Sequence, residues 1–227
     1  MEAMLATTRK SLGPVVKGQP EVGFNFSTMQ STGRSPVSVT GAQRSALSGA
    51  NAVDGYTGAL AVGTTAYPVT PTSAIGAGTG DFTLEWAFYG QGVGTGTSRF
   101  FVIGGLGQIA FLASSYAGKL GVTHPNSGYA VIRPVRADLV NGWHHLAFVR
   151  KSGILRIFLD GVEMAIALGT STTFLTGGVD FPKDWASGGA FTINDGNYPY
   201  PMLLAEFAFH KSAIYSDNFM PTYPLVA

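Results

Sequence analysis

Along most of this chain, large apolar residues recur at every second position, in short runs separated by glycine, proline, asparagine and aspartate. The clearest run spans 81–89. Phe82, Leu84, Trp86 and Phe88 share one side there, and Thr83 and Glu85 the other. Successive side chains of an extended backbone point to opposite faces, so this run predicts a strand with its large residues inward. A second run, 141–162, places Trp143, His145, Ala147 and Val149 on one face and His144, Leu146, Phe148 and Arg150 on the other. Ser152-Gly153 and Asp160-Gly161 then supply tight turns, and Leu155, Ile157 and Leu159 return on the core side. The pattern predicts a three-stranded antiparallel meander. Shorter strands are expected at 22–26, 35–40, 59–62, 99–104, 108–113, 119–123, 129–133 and 191–193. A last long strand is expected at 203–210, where Leu204, Glu206 and Ala208 alternate against Leu203, Ala205, Phe207 and Phe209. No amphipathic helix of ordinary length is visible; at most a single turn is expected over 211–217.

Many short strands at hairpin spacing, with one continuous set of inward positions, predict an all-β fold: an antiparallel two-sheet jelly-roll β-sandwich. Residues 1–21 carry Gly13, Pro14, Gly18 and Pro20 and show no period of 2 or 3.6, so they read as an extended N-terminal arm. Residues 22–227 are expected to form the sandwich.

Composition narrows the function classes. Of 227 residues, 45% are hydrophobic and only 12% charged, about half the usual charged share. Such a surface suits either a subunit hidden in an assembly or a polar, uncharged binding domain. The net charge of +1 and the lack of any basic run give no reason to expect nucleic acid as a partner. The chain has no cysteine, which excludes disulfides and thiol chemistry. No apolar stretch reaches the ~18 residues of a membrane span, and no signal peptide is expected at the start.

Three motifs resemble the laminin-G-like (pentraxin-like) jelly-roll domains of the concanavalin A-like lectin/glucanase superfamily. They are Gly78-Thr79-Gly80-Asp81-Phe82-Thr83-Leu84-Glu85-Trp86, the Trp143-His144-His145 meander through Asp160-Gly161-Val162, and Leu204 to Lys211 continued by Ala213 to Pro221. The third is similar to versions found in phage tail and other virion proteins. Ala205 stands where the family usually has Asp, and Ala208 where Arg is common. The resemblance implies a non-enzymatic virion structural protein: a capsid decoration, fibre or tail component, made in the host cytoplasm. It would be a homo-oligomer, a trimer or higher, among other virion subunits, with a host cell-surface glycan as a further partner. The alternative is a lectin-like carbohydrate-binding module.

The residues add candidate sites. His144 and His145 are adjacent on a strand, point to opposite faces and cannot hold one ion together. A structural role is expected for them, with one imidazole bonded to backbone. The Glu-x-Asp-x-x-Glu strand of the superfamily's hydrolases is absent, and no pair of acids stands at the spacing glycoside hydrolysis requires, so no enzyme is expected. No cofactor is called for. Calcium is the one ion that late-loop oxygens from Asp180, Asp184 and Asp195 could bind, although Asn194-Asp195-Gly196 is equally a tight turn. Trp185, Tyr198 and Tyr200 fall in expected loops and could stack on a sugar, or instead cap the sandwich.

Overall fold

The computed structural model describes residues 17–49, 52–63, 65–71, 76–91, 99–103, 107–112, 119–124, 128–135, 142–168, 173–181, 191–194, 200–223 and 225. These residues form two antiparallel sheets and contain no α-helix. The first sheet runs in the order β14 (Val162–Glu163), β13 (Ile154–Leu159), β12 (Trp143–Lys151), β7 (Phe82–Gly90), β18 (Met202–His210), β1 (Val22–Asn25) and β2 (Gln30–Ser31). β5 (Gly58–Val62), carrying β4 (Arg44–Ala46), continues β1's edge of β18, and β16 (Val179–Asp180) pairs with β13. The second sheet runs β15 (Ile166–Leu168), β11 (Gly128–Val135), β10 (Lys119–His124), β9 (Gly107–Leu112), β8 (Arg99–Ile103), β17 (Phe191–Ile193), β6 (Tyr67–Pro71) and β3 (Val37–Val39). The expected all-β sandwich is the observed architecture.

Leu84, Trp86, Phe88, Leu146, Phe148 and Ile157 of the first sheet join Val37, Val69, Ile166 and Ile193 of the second in one buried cluster. The Trp86 and Phe148 rings stack there at 5.5 Å between centroids. Each such side chain contributes about 1.5–3 kcal/mol through removal from water.

Two local patterns differ from the alternation read in the sequence. The register of β18 against β7 shifts between Leu204 and Glu206. This bulge adds a residue to one strand and flips the side-chain phase after it. Leu204 therefore faces the inner core with Phe207 and Phe209, while Leu203 and Ala205 face outward with Glu206. The third strand of the meander is also short. β14 is two residues long, and after Met164-Ala165 the chain crosses to the second sheet as β15.

The outer face of the first sheet is covered as well. A strap formed by residues 211–223 and 225 lays Tyr215 and Phe219 over Ala147, Val149 and Phe158, and Leu225 over Ala205 and Tyr56. Thr83 Oγ1 donates to the Ser212 carbonyl at 2.9 Å and accepts from the Ile214 amide at 2.9 Å. The Asp160-Gly161 turn has positive φ at both residues, 51° and 77°, and Gly161 touches the strap, its carbonyl accepting from the Phe219 amide at 2.9 Å. A Cβ at Gly161 would run into the Phe219 carbonyl oxygen.

Candidate functional site

Two constellations occupy the outer side of the first sheet. The first is centred on Glu85, which β7 points away from the inner core and which is fully buried. Its Oε2 lies 2.8 Å from His145 Nε2 and accepts from the Tyr215 hydroxyl at 2.6 Å. Its Oε1 lies 3.2 Å from His210 Nε2. Lys17 Nζ spans both oxygens at 3.2 and 3.1 Å and lies 5.4 Å from the Tyr215 ring centre. Burial pushes the Glu85 carboxyl up. The hydrogen bonds from His145 and His210 and the Lys17 charge together outweigh it, and the group is held well below the ordinary carboxylate value of 4.5. Burial first, then the Glu85 charge, pushes the Tyr215 phenol up, so it remains a donor. Tyr215 and Phe219 stack face to face at 3.6 Å and close edge-on against the His145 ring at 6.0 and 5.4 Å. The Glu85 carboxylate has no accessible surface, and the cluster pins β12, β18, the strap and Lys17 to β7.

The second constellation is aromatic and lies at the other end of β7. Trp143 and Tyr89 are cross-strand partners with rings 5.8 Å apart, edge to face. Tyr56 stacks on Trp143 at 6.4 Å, and Tyr223 lies 5.9 Å from Tyr56. Tyr56 is buried and donates its hydroxyl to Glu206 at 2.7 Å, an oxygen that also accepts from the Leu225 amide at 2.8 Å. Tyr89, Trp143 and Tyr223 are only partly buried, leaving an aromatic platform of mutually tilted rings at the surface. Burial, then the charges of Asp160 and Glu85, pushes the Tyr223 phenol up and keeps it neutral.

The histidines behave as the strand geometry requires, but neither imidazole is bonded to backbone. His144 Nδ1 pairs with Asp160 Oδ2 at 2.8 Å and His145 with Glu85, so carboxylates orient both rings. Of the proposed stacking aromatics, Tyr200 is corrected. It is fully buried against Phe88, its backbone amide donating to Asn194 Oδ1 at 3.3 Å, and no ring face is available to a sugar. Trp185 and Tyr198 lie outside the described residues. Of the proposed calcium ligands, Asp180 is exposed on β16, opposite Ile154, while Asp184 and Asp195 lie outside the described residues. Among the described residues no three acidic, histidine or cysteine side chains form a metal-binding group. Lys17, within the expected 1–21 arm, packs on its own domain, and residues 1–16 lie outside the described residues. Sequence reasoning missed the Glu85 cluster and the platform. The alanines at 87, 147, 205 and 208 were the available signal, since an outer face in contact with water has no reason to be apolar.

A comparison with curated protein sequences returns no match. Among solved structures, domain 4 of AbnA, an extracellular arabinanase from Geobacillus stearothermophilus solved in complex with arabinotriose, superposes with a TM-score of 0.54 at 15% identity. The match covers 88% of this chain and 96% of that domain. Trypanosoma rangeli sialidase, in complex with 2,3-difluorosialic acid, gives 0.55 at 12% identity over 93% of this chain and 33% of that one. The chain thus spans about a third of the sialidase. Both likenesses concern the fold. The laminin-G-like family model described as the concanavalin A-like lectin/glucanases superfamily matches residues 62–218, and the chain belongs to that superfamily.

Proposed function

We propose that this chain is a non-enzymatic carbohydrate-binding module that stacks a sugar on the platform of Trp143, Tyr89 and Tyr223. The observation that carries this reading is the platform itself. Trp143 and Tyr223 pack on buried Tyr56, which is held by its hydrogen bond to Glu206, and Tyr89 packs edge-on against Trp143. Rigid aromatic faces with polar edges suit the mixed surface of a sugar. Support also comes from the arabinanase domain of the same fold, which was solved with arabinotriose. The burial of Glu85 and Glu206 beneath the strap supports a non-enzymatic role, because neither carboxylate is accessible to a substrate. A glycan array followed by titration of hits, read by tryptophan fluorescence, tests the proposal. Binding is expected, with Trp143→Ala weakening it about tenfold, which corresponds to about 1.4 kcal/mol. Absence of binding across the panel overturns it.

A second reading places the module on a phage particle as a decoration, fibre or tail component, made in the host cytoplasm. It is favoured by the third sequence motif and by the 12% charged content. It expects a trimer or higher. Light scattering on the purified chain, with and without residues 1–16, checks this; a monomer in both forms sinks the assembly claim.

A further inference from the structure

We propose that a separate small cavity on this sheet binds an anionic, carboxylate-bearing sugar unit. The cavity lies where the end of the arm, the loop after β2 and the exit of β18 meet. Gly18, Glu21, Arg34, His210, Lys211 and Ser212 contribute to its wall, and its volume is about 260 Å³. That is below the roughly 300–1,000 Å³ of pockets for drug-sized ligands, so it suits one sugar ring rather than a chain.

Backbone hydrogen bonds fix the frame. The Glu21 amide donates to Phe209 at 2.7 Å, the Arg34 amide to Pro20 at 2.9 Å and the Ser35 amide to Glu21 at 2.8 Å. His210, nearly fully buried in the wall, is held by Glu85 through Nε2. The charges in the frame are unequal. Glu21 Oε1 already accepts from Ser35 Oγ at 2.9 Å, and Lys211 Nζ is 4.0 Å from the same oxygen, at the limit of an ion pair. Arg34 is exposed and makes no ion pair with any other described residue. Two cationic residues therefore line the cavity with one carboxylate that is already engaged. A guanidinium presents parallel N–H donors that match a carboxylate in a bidentate pair, which a hydroxyl of a neutral sugar does not reproduce. Lys211 and Ser212 remain as donors for ring hydroxyls.

This inference rests on the carbohydrate reading for its ligand class, but the two sites are distinct. His210 pairs with Thr83 and Leu203 with Tyr89, so they stand at opposite ends of β7, about 20 Å apart at the rise of an extended strand. Methyl glucuronide, methyl glucoside and acetate, titrated into the full chain and followed by amide NMR shifts, provide the test. Methyl glucuronide is expected to shift the amides of Arg34 and Lys211, with the glucoside and acetate at least tenfold weaker. The Arg34→Ala/Lys211→Ala variant is expected to lose this binding at least tenfold while keeping its fold and its neutral-sugar response at Trp143. Equal binding of the glucoside, equal binding of acetate, binding unchanged in the double variant, or no shift at all each overturns the proposal. Neutral-sugar binding at Trp143 alongside such a failure leaves the platform reading standing; glucuronide binding here without any effect at Trp143 does the reverse.

Discussion

On its inner face β7 presents Phe82, Leu84, Trp86 and Phe88; on its outer face it presents Thr83, Glu85, Ala87 and Tyr89. Both faces are buried except at half-buried Tyr89, by different means. The inner one packs apolar side chains against the second sheet, a contact that is non-directional and tolerant of charge state. The outer one gathers four other segments, the strap and the arm among them, on a single carboxylate, alongside the strap's hydrogen bonds to Thr83, Gly161 and Glu206. Its strength depends on ionisation and on every partner being present. One face confers stability over a wide range of conditions, and the other decides which segments stay docked.

The largest expected effects test that contrast directly. Phe148→Ala removes a ring stacked on Trp86, and Glu85→Ala removes the anion that His145, His210 and Lys17 share. Each is expected to lower unfolding free energy by about 3–5 kcal/mol, read by urea titration at neutral pH. Their pH dependence is expected to differ. The folded-state value of Glu85 lies below the ordinary 4.5, so the unfolded chain takes up the proton first. Its contribution is complete above about 4.5 and is lost as pH falls through the folded value. The deficit of Glu85→Ala should therefore shrink on acidification, while that of Phe148→Ala should not. Equal pH profiles for the two variants would dissolve the distinction between the faces.

A smaller effect separates the two turns that flank β13. Gly153 and Gly161 both have positive φ, at 81° and 77°, but a Cβ at Gly153 meets nothing within 4 Å, whereas one at Gly161 meets the strap. Gly153→Ala is expected to cost about 1–2 kcal/mol from backbone strain alone. Gly161→Ala should cost about 1–3 kcal/mol more, because the strap must shift. Hydrogen exchange at residues 213–219 checks this: only the Gly161 variant should lose protection there.

The inner face was legible in the sequence because its period of two survives through β7, β12 and β13. Two things hid the outer face. Glu85, Thr83 and His145 are polar, and polar residues opposite a core stripe ordinarily face water. Their burial depends on Tyr215, His210 and Lys17, which lie up to 130 residues away in sequence, so no local period could announce them. The bulge at Leu204/Glu206 was hidden for the same reason, since alternation alone carries no signal for an inserted residue. In the sequence Trp143 belongs only to a fold motif; its value as a platform depends on Tyr89 across the strand and Tyr56 stacked on it. Tyr200 failed as a candidate because a Pro-flanked loop position reveals nothing about what closes over it.

The smallest effect concerns the arm. Lys17 retains 10% of its side-chain exposure while its partner Glu85 retains none, so the lysine ends near water and the carboxylate does not. Lys17→Met keeps the stem and removes the charge. The loss is expected to be about 1–2 kcal/mol, below that of Glu85→Ala, because His145, His210 and Tyr215 still serve the carboxylate. A double-mutant cycle gives the comparison its sharpest form. If the arm is held through Glu85, Lys17→Met should cost nearly nothing once Glu85 is alanine, and the coupling should equal the single-variant loss. Additive losses would mean that the arm is held by its backbone contacts, with the Glu21 amide on Phe209 as the anchor, and that the buried carboxylate serves the strap alone.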